Sequence, residues 1–136
     1  MSMIGAIGLV ELNSIAKGIE TTNKMIKAAA VELLFAKAVC PGKFIVLVTG
    51  DVAAVKTSVE IGSSCGEHYV VDYFLIPNIS KEVICAINGA SSIENMHALG
   101  VLEFFSIAAA IIAADRAVKT ATVDLLEVRL GIDRKS

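Results

Sequence analysis

Apolar residues fill this chain in short blocks, and the period of the pattern changes from block to block. Ile4 to Leu12 is an apolar, glycine-containing run that reads as a strand. Asn13 or Ser14 can cap a helix running to about Ala29, with Ile15, Ile19, Met25 and Ile26 near helical spacing. Val31 to Val39 is a second strand, mostly apolar apart from Glu32 and Lys37. Cys40-Pro41-Gly42 follows as a tight turn, because proline presets one backbone angle and glycine permits a positive one. Lys43 to Thr49 is a third strand ended by Gly50. Asp51 then caps a helix from Val52 to about Ser64, with Val52, Val55 and Val59 on one face. Tyr69 to Ile76 is a fourth strand closed by Pro77, and Ser80 caps a short helix from Lys81 to about Ile87.

The pattern then starts again, at a spacing of about 92 residues, too long for a solenoid unit. Ala6-Ile7-Gly8-Leu9-Val10-Glu11 returns as Ala98-Leu99-Gly100-Val101-Leu102-Glu103. Ser14-Ile15-Ala16 returns as Ser106-Ile107-Ala108, Lys27 as Lys119, and Val31-Glu32-Leu33-Leu34 as Val123-Asp124-Leu125-Leu126. Lys43 pairs with Lys135. The polar stretch Asn88 to Asn95 joins the copies. The repeat predicts a strand at Ala98–Phe105, a helix at Ser106–Thr120 and a strand at Val123–Leu130. Residues 1–92 are therefore expected to form one small α+β domain, with helices over one face of a small, mostly antiparallel sheet, and 93–136 an incomplete second copy. Its missing strands would leave an open sheet edge and an uncovered apolar face.

Composition narrows the classes. Hydrophobic residues make up 55% of the 136 and charged residues 19%, which excludes intrinsic disorder. The net charge of −2 and the lack of a basic stretch argue against nucleic acid as a partner. The charge-free run Phe104 to Ala114 falls far short of the roughly 18–20 residues that span a bilayer, and Met1-Ser2-Met3-Ile4 has no signal-peptide layout. These features point to a cytosolic chain with no membrane span, and the apolar excess to self-association. Cys40, Cys65 and Cys85 lie far apart, and His68 and His97 give no zinc spacing. A metal would need ligands from more than one chain.

Several motifs in order carry a family resemblance. Ala6-Ile7-Gly8-Leu9-Val10-Glu11, the helix with Ile19-Glu20, the strand–turn–strand around Cys40 and Thr49-Gly50-Asp51-Val52-Ala53-Ala54-Val55 resemble the bacterial microcompartment (BMC) shell domain, a ferredoxin-like fold. Phe74-Leu75-Ile76-Pro77 fits the end of its last strand. Two copies in one chain resemble the tandem-domain shell proteins, and Ala38 to Phe44 resembles their propanediol-utilisation T-type branch. That resemblance implies a homotrimer imitating a hexamer, which tiles with other shell proteins. It also implies a pore turn of Cys40, Pro41, Gly42 and Lys43, with Cys40 of three chains holding one [4Fe–4S] cluster per trimer. Electron relay, or delivery of the cluster to an enclosed redox enzyme, would follow. Lys27, with its counterpart Lys119, matches the lysine by which such tiles meet edge to edge.

Each candidate also has an ordinary reading. Taken alone, Cys40 is either a small apolar residue closing a strand or a thiolate ligand. A turn at a threefold axis would gather three thiols and leave one iron site for another ligand. Cys65 and Cys85 read as packing residues, His68 and His97 as surface residues, and Gly5 and Gly8 as glycines at a close approach of helix and strand. Lys17, Lys24 and Lys27 read as a solvated face. No acid/base set converges, so no catalytic residue is assigned. A shell tile with a cluster, a tile whose pore passes a small polar metabolite without one, and a small α+β ligand-binding regulator remain, with a redox enzyme as the weakest option.

Overall fold

A computed structural model describes residues 5–39, 42–89 and 98–131. The strands are β1 (Ala6–Leu12), β2 (Glu32–Val39), β3 (Lys43–Gly50) and β4 (Val70–Ile76); the helices are α1 (Ile15–Ala28), α2 (Val52–Gly66), α3 (Lys81–Ile87) and α4 (Ile107–Thr120). The strands form one antiparallel sheet in the order β2-β3-β1-β4. β1 is central, which explains why its seven residues are all buried. The α+β fold and the boundaries of the first copy agree with the pattern of the sequence to within about two residues. The connector from Asn88 lies mostly outside the described residues.

Alternation along β1 separates two cores. Ala6, Val10 and Leu12 pack with Phe44, Val46 and Val48 beneath Met25 of α1 and Val55 and Val59 of α2. Ile7 and Leu9 point the other way, with Ile45, Leu47 and Phe74, and are covered by Val83 and Ala86 of α3 and Ile107, Ala108 and Ile111 of α4. The helices of the first copy were expected on one face; α1 and α2 share a face, whereas α3 lies on the opposite one. The opposite face is covered as well, and largely by the second copy.

Gly8 sits where α2 crosses β1. A Cβ there would lie 2.3 Å from Val59 Cγ2 and 2.7 Å from Val55 Cγ1, so only a bare Cα lets the helix approach. Caps form at Ser14, Ser80 and Ser106, whose hydroxyls accept from the backbone N–H of Lys17, Glu82 and Ala109. Asp51 occupies the corresponding position of α2, but its carboxylate makes no capping bond.

Three expectations are corrected. Of the stripe Ile15, Ile19, Met25 and Ile26, Met25 alone faces the core: the three isoleucines are exposed, and α1 buries Gly18 and Thr21 beside Met25. The helix approaches so closely that glycine and threonine fill the interface, as Gly18 against the Phe44 ring shows. In α2, likewise, Val55 and Val59 are buried while Val52 is exposed. The second copy's strands are also absent, since 98–105 and 123–130 join no ladder among the described residues. Their counterparts β1 and β2 pair with β3 and β4, and no equivalents of β3 and β4 lie among the described residues. A strand without a partner has no ladder to join. Only Val128 and Leu130 of the latter segment are buried, against the sheet's second face.

The repeat supplies a controlled comparison. Gly8→Val is expected to cost about 1–3 kcal/mol through overpacking. The same change at its counterpart Gly100, where a Cβ meets nothing within 4 Å, is expected to stay within about 0.5 kcal/mol. Urea denaturation of both variants measures the difference.

Candidate functional site

The turn between β2 and β3 is defined by the strands on either side. Their pairing runs out to Val39 opposite Lys43, so residues 40–42 make the connection. Cys40 and Pro41 themselves lie outside the described residues, as does His97. Gly42 has φ +69°, a left-handed conformation that suits glycine at a hairpin tip. A Cβ there would meet nothing within 4 Å. Beside the hairpin's base, Lys37 to Val39, Ala86 and the segment Glu127–Gly131 line an open cavity of about 180 Å³.

Lys43, expected at the pore turn, opens β3 and directs its ammonium inward. Its Nζ lies 3.0 Å from Glu11 Oε2 and donates to the Phe105 carbonyl at 3.1 Å. The Glu11 side chain is fully buried. Its other oxygen accepts from the backbone N–H of Ala108 at 3.3 Å and from the Ser106 hydroxyl at 3.4 Å. That hydroxyl also reaches Asp72 Oδ2 at 2.8 Å, while its oxygen accepts from the Ala109 N–H. A carboxylate in the sheet therefore sits at the positive N-terminus of the second copy's helix, where the helix dipole favours negative charge. No role for Glu11, Asp72 or Ser106 is foreseen from the sequence pattern. A single carboxylate in an otherwise apolar strand, and a cap serine kept in both copies, were the available signals.

The far half of α4 carries a second polar fastening. Asp115 accepts from the Ser80 N–H at 2.9 Å and pairs with Lys119 at 2.7 Å, and the Lys119 ammonium also donates to the Asn78 carbonyl. Lys119 is thus engaged with the first copy. Its counterpart Lys27 lies exposed in the last turn of α1, with no ion pair among the described residues. Asn23 stands where α4 has Asp115, so the partner that holds Lys119 is missing at Lys27. Lys17 does not belong to a free lysine face: it pairs with Glu20 at 3.3 Å and Glu67 at 3.6 Å. The hydrogen bond to Glu20 raises its pKa above the ordinary 10.5.

The remaining candidates separate. Cys65 is half-buried and its sulfur accepts from the Thr21 hydroxyl at 3.8 Å, in keeping with a packing role. Cys85 is exposed, contrary to expectation, because α3 turns Val83 and Ala86 to the core and leaves position 85 outside. His68 is exposed, its ring 4.2 Å from that of Tyr69. Among the described residues no group of three or more His, Cys, Asp or Glu could hold a metal ion, and no helix is long and apolar enough to cross a membrane.

Comparison with known proteins matches both copies. The BMC domain family matches residues 6–79 and 98–135. The chain is 45% identical over 129 residues to the bacterial microcompartment shell protein PduT of Citrobacter freundii, covering 95% of this chain and 70% of that protein. It is 32% identical over 74 residues to the shell protein EutM of Escherichia coli K12, covering 53% of this chain and 76% of that one. A crystal structure of a microcompartments protein from Desulfitobacterium hafniense DCB superposes with a TM-score of 0.82 at 53% identity, covering 96% of this chain and 72% of that one.

The buried carboxylate sets an order of effects. Lys43→Ala, which leaves Glu11 charged and buried without its partner, is expected to destabilise the fold by about 3 kcal/mol. Glu11→Gln is expected to cost less, since an amide oxygen still accepts from Ser106 and Ala108 and no unpaired charge remains. Urea denaturation ranks the two, and amide hydrogen exchange should show α4 losing protection first in Lys43→Ala.

Proposed function

The chain belongs to the BMC-domain family of bacterial microcompartment shell proteins, and from that premise we propose that it is a facet tile: a homotrimer imitating a hexamer, with a cluster-binding pore on its threefold axis. Its place is the microcompartment shell. The observation that carries the ring reading is the family match in both halves of one chain, with the second copy's helix seated on the first copy's sheet as a neighbour would be. Six such units in a closed ring need three chains.

The pore reading rests on Cys40, in the hairpin between β2 and β3. A [4Fe–4S] cluster is normally held by four thiolates. The described residues of one chain hold no such set, so the donors would come from several chains. The open space at Gly42 itself is compatible with such a meeting of turns. Cys40 would supply one thiolate per chain, and Pro41 and Gly42 would hold backbone amides near the sulfurs. When bound, the cluster supplies one-electron transfer across the shell. Lys43 acts here from behind: its salt bridge to Glu11 anchors the first residue of β3 and with it the base of the turn. The reading assigns the chain no covalent chemistry on a substrate, in line with relatives named as shell proteins.

Two measurements test the proposal. Anaerobic reconstitution with iron and sulfide, followed by absorbance and EPR, should give about one cluster per three chains in the wild type and none in Cys40→Ser. Equal iron in both proteins would remove the cluster and leave a tile whose turn lines a metabolite pore. For the tile edge, Lys27→Asp should abolish extended sheets in electron micrographs while leaving the circular dichroism spectrum unchanged. Intact sheets would take Lys27 out of the edge.

A further inference from the structure

A lysine stands where the strand pattern of β2 calls for an apolar residue. Lys37 pairs with Ile45, as Phe35 pairs with Leu47, and opposed residues of an antiparallel pair share a face. Ile45 and Leu47 belong to the core on the sheet's second face, with Phe35 and Val39 packed into it. Lys37 lies between those two on the same face, yet it is exposed. The cavity of about 180 Å³ beside the hairpin's base opens there. A charge set among core positions is expected where a site is built. A lysine on an edge strand also hinders pairing with another sheet, but that role needs no cavity.

The cavity combines apolar lining with charge. Val39, Val128 and Leu130 are buried in its wall, with Ile87 half-buried beside them. Lys37, Glu127 and Arg129 are its charged side chains, so positive charge is in excess. Glu127 is already neutralised: its Oε2 accepts from Arg129 Nε at 3.2 Å and from Nη2 at 3.0 Å. Lys37 has no carboxylate partner among the described residues. Its ammonium lies 4.9 Å from the centroid of the Phe35 ring, a contact that orients a cation without cancelling its charge.

We propose that this cavity binds a short-chain carboxylate, with the anion on Lys37 and the alkyl chain against Val39, Ile87 and Val128. Arg129 stands at the same opening as a second cation. A drug-sized ligand needs roughly 300–1,000 Å³, so about 180 Å³ suits an acid of a few carbons. An amine would meet the excess positive charge, and an alcohol would leave the ammonium without its counter-charge. A bare inorganic anion would leave the apolar wall in water. The site is complete within one chain and depends on neither the ring nor the cluster.

The test follows the ¹⁵N-labelled 136-residue chain by NMR during titration with acetate, butanoate, butan-1-ol and butylamine at constant ionic strength. Butanoate should give saturable shifts at the amides of Ala38, Val39 and Val128. It should bind about tenfold more tightly than acetate, because two more methylenes leave water. The alcohol and the amine should each bind at least about tenfold more weakly than butanoate. Lys37→Met should lose about tenfold or more in butanoate affinity with an unchanged circular dichroism spectrum, and Lys37→Arg should retain binding. Butan-1-ol binding as tightly as butanoate, or Lys37→Met binding butanoate as the parent chain does, overturns the proposal. Absence of saturable shifts with all four compounds overturns it too and leaves Lys37 as an edge guard. Each of these outcomes leaves the pore reading standing, since that reading rests on Cys40 and not on this cavity.

Discussion

A buried carboxylate governs how this chain is put together. Glu11 lies in the central strand of the sheet with no access to water, and an isolated charge there would be costly. Every group that satisfies it comes from a different part of the chain: the ammonium of Lys43 from the neighbouring strand, and the hydroxyl and amide of Ser106 and Ala108 from the second copy. The sheet's second face consequently cannot be completed by the first copy alone. The helix α4 is required both as apolar cover and as the end that accepts the charge.

That constraint ties packing to function. The same lysine that neutralises Glu11 begins the strand after the turn carrying Cys40. Anything that loosens the seat of α4 therefore also loosens the base of the proposed pore turn. The fastening at the other end, where Asp115 and Lys119 meet Ser80 and Asn78, ties the far half of α4 to the first copy. Between these two latches the contact is apolar and tight. Polar groups set the register while hydrophobic area supplies the adhesion.

Duplication explains why corresponding residues do different work. Lys27 and Lys119 occupy the same place in their helices, yet one is held by an aspartate and the other is exposed beside an asparagine. Gly8 is indispensable to a helix crossing, while Gly100 touches nothing. Ile111 is a core residue and Ile19 a surface residue. In each pair the amino acid is unchanged and the neighbour differs. The proposed ring would need such asymmetry, because a ring assembled from two-copy chains makes some contacts within the chain and others between chains.

The sequence by itself determined the elements of the first copy, the repeat, the family and the hairpin that presents Cys40, because period, caps and turn residues are local properties that the chain writes residue by residue. Gly8 was also legible, as a glycine inside a strand pattern. Only the tertiary structure decided which face of α1 is core, since a helix with apolar residues on two sides can bury either, and Gly18 allowed the closer approach. It likewise decided that 98–105 and 123–130 join no ladder among the described residues, because a strand exists only through a partner, which a local pattern does not supply. The role of Glu11 was beyond reach of local reading for the same reason. Two of its hydrogen-bond donors, Ser106 and Ala108, stand more than ninety positions away in the chain, and only folding brings a strand's carboxylate to the end of another copy's helix.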